Sequence, residues 1–189
     1  LVAAGLCAPA WSQDAAPVGV KLVRFETTLG AFTVEVDPAR APLTAASFLQ
    51  YVRDQHYDGT IFHRVIGNFV VQGGGYLPDG TEKPVRAGVP NESGNGLSNR
   101  RSTVALARTG DPHSGTSQFY VNLADNIALD PSPARWGYAV FGRVIEGMDV
   151  VDRIASVATG SSGPFQEDAP LQPVFISTAR VVGEAATPP

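Results

Sequence analysis

Short runs in which apolar and polar residues alternate, separated by glycine and proline, are the feature that most restricts the fold of this chain. Twenty glycines and fifteen prolines are spread over 189 residues, and these residue types end helices and strands early. Alternation with a period of two is typical of strands that bury one face. The sequence therefore predicts a mainly β protein, and its length fits one domain with a sizeable core.

The same patterns place the individual elements. A hairpin is predicted over 18–37, and a helix begins at Pro42, where apolar residues recur every three or four positions. Further strands are expected at 57–75, where there are two, and at 102–107, 117–123, 138–145 and 173–182, with a second helix at 146–157. About eight strands and two helices result. Closing the sheet on itself would remove its exposed edges, so we expect a closed barrel.

The beginning of the chain differs in composition from the rest. Residues 1–12 are apolar and small, and Ala10 and Ser12 stand where a signal peptidase prefers small residues, at positions −3 and −1 before Gln13. We expect four segments: a truncated signal peptide at 1–12, a linker at 13–19, the folded domain at 20–183 and a disordered tail at 184–189.

A signal peptide predicts export to the periplasm. Cys7 is the only cysteine and lies within the apolar stretch, which leaves a lipoprotein anchor as an alternative, although Leu6 before it fits lipoprotein processing poorly. A cytoplasmic protein with a disordered N-terminal tail is the other alternative. The stretch is too short to span a bilayer, so no membrane span is predicted.

Charge and residue spacing exclude several classes of function. A net charge of −4 argues against binding of nucleic acid, which depends on clustered lysine and arginine. None of the three histidines, His56, His63 and His113, has the spacing of a zinc site. The chain also lacks the G-x-S-x-G motif of many serine hydrolases. We therefore predict neither a metal nor a cofactor.

The run from Phe62 to Gly74 places Arg64 and Gln72 among large apolar residues at the spacing of strands. Because charged side chains are rarely buried without a partner, Arg64 either forms a shielded salt bridge or faces a ligand that is partly apolar. Together with the later strands, this run predicts a surface that has one cation, two amides and apolar walls. Its members are Arg64, Phe69, Val70, Gln72, Gln118 and Tyr120, with Leu129 and Tyr138 as further members. This surface has no nucleophile and no general base.

Prolyl isomerisation is a reaction that needs neither of these groups. Its barrier of about 18–20 kcal/mol comes from amide resonance, and rotation returns a lone pair to the prolyl nitrogen. A donor aimed at that nitrogen therefore binds the transition state better than either ground state. Arg64 can be this donor, with Gln72 and Gln118 steadying it and the peptide backbone. A module that binds proline segments without catalysis is the alternative.

These residues stand in motifs that resemble those of the cyclophilins, and most closely the bacterial periplasmic cyclophilin-type peptidyl-prolyl isomerases. The resemblance runs from about Lys21 to Val182. Its specific pieces are Phe62-His63-Arg64-Val65-Ile66 with Phe69 and Gln72-Gly73-Gly74, Asn91-Glu92 with Asn95-Gly96-Leu97, Ala105-Leu106-Ala107-Arg108, Thr116-Ser117-Gln118-Phe119-Tyr120, and Tyr138-Ala139-Val140-Phe141-Gly142. It implies a closed eight-stranded antiparallel barrel capped by two α-helices, and a monomeric isomerase, without a cofactor, that assists the folding of exported proteins by binding their proline-containing segments.

The resemblance also assigns roles to single residues. Arg64 matches the catalytic arginine, and the substrate-binding residues are the proline pocket of Phe69, Val70, Tyr120 and Leu129, the polar supports Gln72 and Gln118, the backbone-pairing segment Ala107, Arg108 and Thr109, and Tyr138 in place of a usual histidine. Ala128 departs from the tryptophan of cyclosporin-sensitive members. We therefore expect weak binding of cyclosporin.

Overall fold

An antiparallel sheet of eight strands dominates the computed structural model, which describes residues 19–184. These residues form ten strands: β1 Lys21–Thr27, β2 Gly30–Val36, β3 Phe62–Ile66, β4 Val70–Gly73, β5 Thr103–Leu106, β6 Phe119–Asn122, β7 Val140–Glu146, β8 Thr159–Ser162, β9 Phe165–Pro170 and β10 Ile176–Val181. In the main sheet their order is β10-β1-β2-β7-β5-β6-β4-β3, while β8 and β9 pair with each other. The helices are α1 Pro42–Arg53 and α2 Met148–Ala155, and a short 3-10 helix spans Ile127–Leu129.

The sheet curls into a half-barrel, so the predicted closed barrel is wrong. In the described part of the chain no ladder joins the edge strands β3 and β10, and an isolated bridge between Ile61 and Phe175 lies beside them. The physical reason is that an edge can be covered without being paired. Here the hairpin of β8 and β9 packs against β3.

The main core lies on the inner face of this sheet. Phe119 and Val121 of β6 point into it, together with Leu123 just beyond the strand. Aromatic rings fill much of the space: the ring centroid of Phe48 from α1 lies 4.7 Å from that of Phe141, and the rings of Phe25, Tyr57 and Phe119 also lie beside it. The predicted helix start at Pro42 is confirmed, and α1 covers this core with its apolar side.

A second, smaller apolar cluster lies on the outer face of the same sheet. Its buried members are Val70, Ala105, Tyr120 and Val140, one from each of the neighbouring strands β4, β5, β6 and β7. Successive side chains of a strand point to opposite faces, so the sequence neighbours of these residues contribute to the inner core. This outer cluster supports the site described below.

The hairpin of β8 and β9 is the element that the sequence patterns missed. Its two strands are joined at Gly163 and Pro164. This pair is typical of a turn, but no alternating run of apolar and polar residues precedes it, so no strand was predicted there. Phe165 anchors the hairpin: its ring centroid lies 5.5 Å from that of His63 and 5.1 Å from that of Tyr76. The hairpin is thereby brought next to Arg64.

Several predictions concern residues outside the described range. The signal peptide at 1–12 and Cys7 lie there, as do nearly all of the predicted linker and tail. Between residues 19 and 184, the structure shows no helix that is both long enough and apolar enough to span a membrane.

Candidate active site

A cavity of about 230 Å³ opens on the outer face of the sheet, and every residue that lines it belongs to the predicted site. The lining consists of Arg64, Phe69, Val70, Gln72, Ala107, Arg108, Tyr120, Leu129 and Tyr138. The two other predicted residues, Thr109 and Gln118, line an adjoining cavity of about 450 Å³. Because Gln72, Ala107 and Arg108 line both cavities, the eleven residues form one continuous surface.

The floor and walls of the smaller cavity are apolar. Val70 and Tyr120 are buried at its base, and Phe69, Leu129 and Tyr138 pack against them while staying partly exposed. The rings of Tyr120 and Tyr138 meet edge to face, with centroids 5.8 Å apart. A small concave site of this kind suits a compact apolar group.

Arg64 brings a positive charge to the rim of this cavity. It lies on β3, opposite Gln72 of β4, and its side chain is 43% exposed. The Nε atom is 3.9 Å from a carboxylate oxygen of Asp168 on β9. Asp168 was not predicted, since nothing in the local sequence connects it to a strand about a hundred residues earlier.

The two glutamines bond to each other, with the Nε2 of Gln72 donating to the Oε1 of Gln118 over 3.1 Å. A glycine makes this arrangement feasible, because a Cβ at Gly75 would lie only 2.6 Å from the side chain of Gln118. The amides were predicted to steady Arg64. In this structure the recorded hydrogen bond joins the amides, and the ion pair of Arg64 is with Asp168.

Asn99 fixes the buried side of the cavity. Its Oδ1 accepts a hydrogen bond of 2.8 Å from the hydroxyl of Tyr120, and its Nδ2 donates to Asp130 over 2.8 Å. Partial burial alone would raise the pKa of Asp130, but hydrogen bonds from Ser98 and Asn99 outweigh it and lower that pKa. Burial, followed by the proximity of Tyr138, raises the pKa of Tyr120 far above its usual range. The Tyr120 hydroxyl therefore stays neutral and serves as a structural donor.

Arg108 holds the opposite wall together. Its guanidinium lies 4.5 Å from the centre of the Tyr138 ring and donates hydrogen bonds to the carbonyls of Thr109 and Trp136, each of 2.9 Å. Trp136 itself is half exposed and lies beside a separate groove, edge-on to the ring of His113. Arg108 thus fixes Tyr138 in place, while the Trp136 side chain is not part of the lining of the smaller cavity.

The chemistry available in the smaller cavity is limited. The nine lining residues include two guanidinium groups, one amide and two phenols, and they include no carboxylate, thiol or imidazole. Such a site can bind an apolar ring beside a polar backbone and can stabilise developing negative charge or a lone pair. It offers no group for a covalent intermediate or for proton abstraction at neutral pH.

Comparisons with known proteins show which sequences this chain resembles. The sequence model of a family described as "Cyclophilin type peptidyl-prolyl cis-trans isomerase/CLD" matches residues 22–181. The peptidyl-prolyl cis-trans isomerase cyp18 of Streptomyces antibioticus is 53% identical over 164 residues, which cover 85% of this chain and 98% of the relative. The peptidyl-prolyl cis-trans isomerase B of Escherichia coli is 45% identical over 163 residues, with 85% and 99% covered.

Solved structures show the same fold. The crystal structure of a cyclophilin type peptidyl-prolyl cis-trans isomerase from Cryptosporidium parvum superposes with a TM-score of 0.74 at 23% identity, covering 88% of this chain and 99% of that one. The same protein crystallised in the presence of the dipeptide Ala-Pro gives a TM-score of 0.73, also at 23% identity, with 86% and 99% covered.

Proposed function

Since the chain belongs to the cyclophilin-type peptidyl-prolyl cis-trans isomerases, we propose that it accelerates rotation about Xaa-Pro bonds in the cavity on the outer face of its sheet, with Arg64 as the catalytic residue. One observation carries this proposal: a half-exposed guanidinium stands at the rim of a small apolar cavity whose lining contains no nucleophile and no general base.

The physical argument concerns the twisted amide. In the transition state the C–N bond has lost its resonance, and the prolyl nitrogen carries a lone pair that is absent from both planar ground states. A fixed cationic donor at this position stabilises the transition state selectively, which is what lowers a barrier. Arg64 is such a donor, and its planar fork can bond to the nitrogen and to a neighbouring carbonyl together.

The rest of the surface would bind the substrate. The apolar walls of Phe69, Val70, Tyr120 and Leu129 hold the proline ring, and the joined amides of Gln72 and Gln118 bind the peptide backbone where the two cavities meet. The expected partners are proline-containing segments of unfolded or folding proteins. Action as a monomer stays a prediction from the family resemblance. Weak binding of cyclosporin stays a prediction from Ala128.

The test is the cis-to-trans rate of an Ala-Pro peptide with the wild-type protein, Arg64→Ala and Arg64→Lys. Loss of one donor to the transition state should lower kcat/KM by roughly 10²- to 10³-fold in Arg64→Ala. Arg64→Lys should stay strongly impaired, because a point charge lacks the planar fork.

A matched control is Arg24→Ala, which removes an arginine from β1 whose side chain is 51% exposed. It should keep wild-type activity. Near wild-type activity of a folded Arg64→Ala would refute the assigned role. A folded wild-type protein that binds the peptide but does not catalyse would instead support the alternative of a proline-binding chaperone or scaffold.

Export to the periplasm extends this proposal and would give the enzyme exported proteins as its substrates. Its support is the apolar character of residues 1–12 and the small residues Ala10 and Ser12. Expression of the full-length protein in a Gram-negative host should yield periplasmic protein that begins near Gln13. Unprocessed protein confined to the cytoplasm would contradict export.

A further inference from the structure

Asp168 is the one acidic side chain recorded in ion-pair distance of Arg64 among residues 19–184, at 3.9 Å from its Nε atom. We propose that Asp168 is a positioning residue that holds the guanidinium of Arg64 in its catalytic orientation. This inference rests on the proposed role of Arg64. Asp168 does not line the proline cavity, so it would act through Arg64 and not by touching the substrate.

The first step of the argument is that the position of Asp168 is fixed. The strands β8 and β9 pair along the hairpin, with Thr159 opposite Pro170 at its base and Ser162 opposite Phe165 near its tip. At its tip end, Phe165 packs into a three-ring cluster with His63 and Tyr76, where the His63 and Tyr76 centroids are 4.7 Å apart. His63 is the sequence neighbour of Arg64, so the hairpin is anchored beside the residue that Asp168 faces.

The second step concerns the backbone of Asp168. Its φ is +59°, in the left-handed region that residues other than glycine adopt infrequently but that aspartate and asparagine tolerate best. The neighbouring Glu167 and Ala169 are not in this conformation. A residue held in this region interrupts the regular alternation of β9, and the carboxylate of Asp168 lies within reach of β3.

The third step concerns the freedom of Arg64. Arginine has one of the largest side-chain entropies to lose on ordering, and a half-exposed arginine on a strand is not fixed by packing alone. The glutamines that were expected to hold it bond to each other. Contact at Nε leaves the terminal nitrogens for the substrate, so a carboxylate at this position restricts the side chain without occupying its outer donors.

The exposure of the ion pair limits how much Asp168 can contribute to the rate. The side chains of Arg64 and Asp168 are 43% and 35% exposed, so the pair is screened by solvent and salt. We therefore expect a modest contribution to the rate that depends on ionic strength, in contrast to the large loss expected when Arg64 itself is removed.

The experiment compares Asp168→Asn with Glu167→Gln, two changes of carboxylate to amide at adjacent positions of β9. Asparagine also tolerates the left-handed backbone, so Asp168→Asn should fold. Glu167 is exposed and has no ion pair recorded among residues 19–184. At low salt, kcat/KM for an Ala-Pro peptide should fall roughly two- to fivefold in Asp168→Asn, by the usual strength of exposed ion pairs. It should stay unchanged in Glu167→Gln, and the difference should shrink as salt is raised to about 0.5 M.

A double-mutant cycle separates positioning from a structural role. If Asp168 acts through Arg64, the change Asp168→Asn should have no further effect in the Arg64→Ala background. An equal loss in both backgrounds, or no loss in the wild-type background, would overturn the proposal for Asp168. Full activity of Arg64→Ala would instead remove the proposed mechanism itself, so the two failures are distinguishable.

Discussion

At the scale of the residue, burial decides the protonation state of His63. Its side chain lies under the hairpin of β8 and β9, against the rings of Tyr76 and Phe165, and is 6% exposed. Burial, followed by the charge of Arg64, lowers the pKa of His63 to about 4, and a hydrogen bond with Gln118 opposes this only in part. The histidine is therefore neutral at pH 7, and it does not add a second charge beside Arg64.

This lowered pKa predicts a specific dependence of stability on pH. Between pH 6.5 and 4 the unfolded chain binds a proton at His63 and the folded chain does not, so the free energy of unfolding rises with pH in this window. Above pH 6.5 the effect is absent, and below pH 4 it grows no further. From pH 7.5 to pH 5.0 the loss of stability should be about 2 kcal/mol from this residue.

Urea unfolding at the two pH values, with the wild type and His63→Gln, measures this loss. The variant should lack about 2 kcal/mol of the pH dependence. His113→Gln, a change on the surface that keeps His63, should retain it. The same pH dependence in His63→Gln and the wild type would show that His63 is not the group responsible.

At the scale of the element, the start of α1 depends on a residue far away in the sequence. Ala41 at the N-cap has no side chain that can accept a hydrogen bond. Glu92, from the long loop after β4, takes this role: its two carboxylate oxygens accept the backbone N–H groups of Leu43 and Thr44 at 3.0 and 2.8 Å. A carboxylate at a helix N-terminus satisfies free donors and interacts favourably with the helix dipole.

Removal of this cap should therefore destabilise the protein. Glu92→Ala should lower the free energy of unfolding by about 1–2 kcal/mol, the usual cost of losing an N-cap with its charge. Chemical unfolding followed by circular dichroism is the measurement. Glu82→Ala, in the same loop and exposed, is the matched control and should change stability by less than about 0.5 kcal/mol. Equal stabilities of the two variants would show that the cap contributes nothing.

At the scale of the whole molecule, one sheet separates the main core from the candidate active site. The ring core lies on the inner face, and the smaller cavity of the candidate active site lies on the outer face, because neighbouring strands contribute alternate residues to each side. Phe48 of α1 belongs to the inner side, with centroid distances of 5.5 Å to Tyr57 and 5.9 Å to Phe119. Changes in this core should therefore affect the folded fraction more than the site.

We expect Phe48→Ala to lower the free energy of unfolding by about 3–5 kcal/mol, because it removes a fully buried ring. The folded fraction should retain wild-type kcat/KM. Leu43→Ala, on the same helix but 49% exposed, should change stability by less than about 0.5 kcal/mol. A loss of activity per folded molecule in Phe48→Ala would contradict the separation of the two faces.

Local features of this molecule were predicted from the sequence, whereas contacts between distant residues were not. The eight strands of the main sheet and the start of α1 were predicted, because alternation and short motifs are local properties of the chain. The residues of the candidate site came from these patterns together with the family resemblance. Asn99 and Asp168 were missed, since each contacts partners on other elements and stands in no motif of its own. The hairpin of β8 and β9 was missed because its outer residues are polar and do not alternate.

The sequence by itself therefore determined the mainly β class and the faces of the strands, and its resemblance to a known family supplied the residues that line the smaller cavity. Only the tertiary structure decided that the sheet stays a half-barrel, because closure depends on curvature accumulated over eight strands. It also decided that Glu92 caps α1 and that Asp168 faces Arg64. These contacts join residues 49 and about a hundred positions apart, and such pairings are set by packing of the whole chain, not by any local pattern.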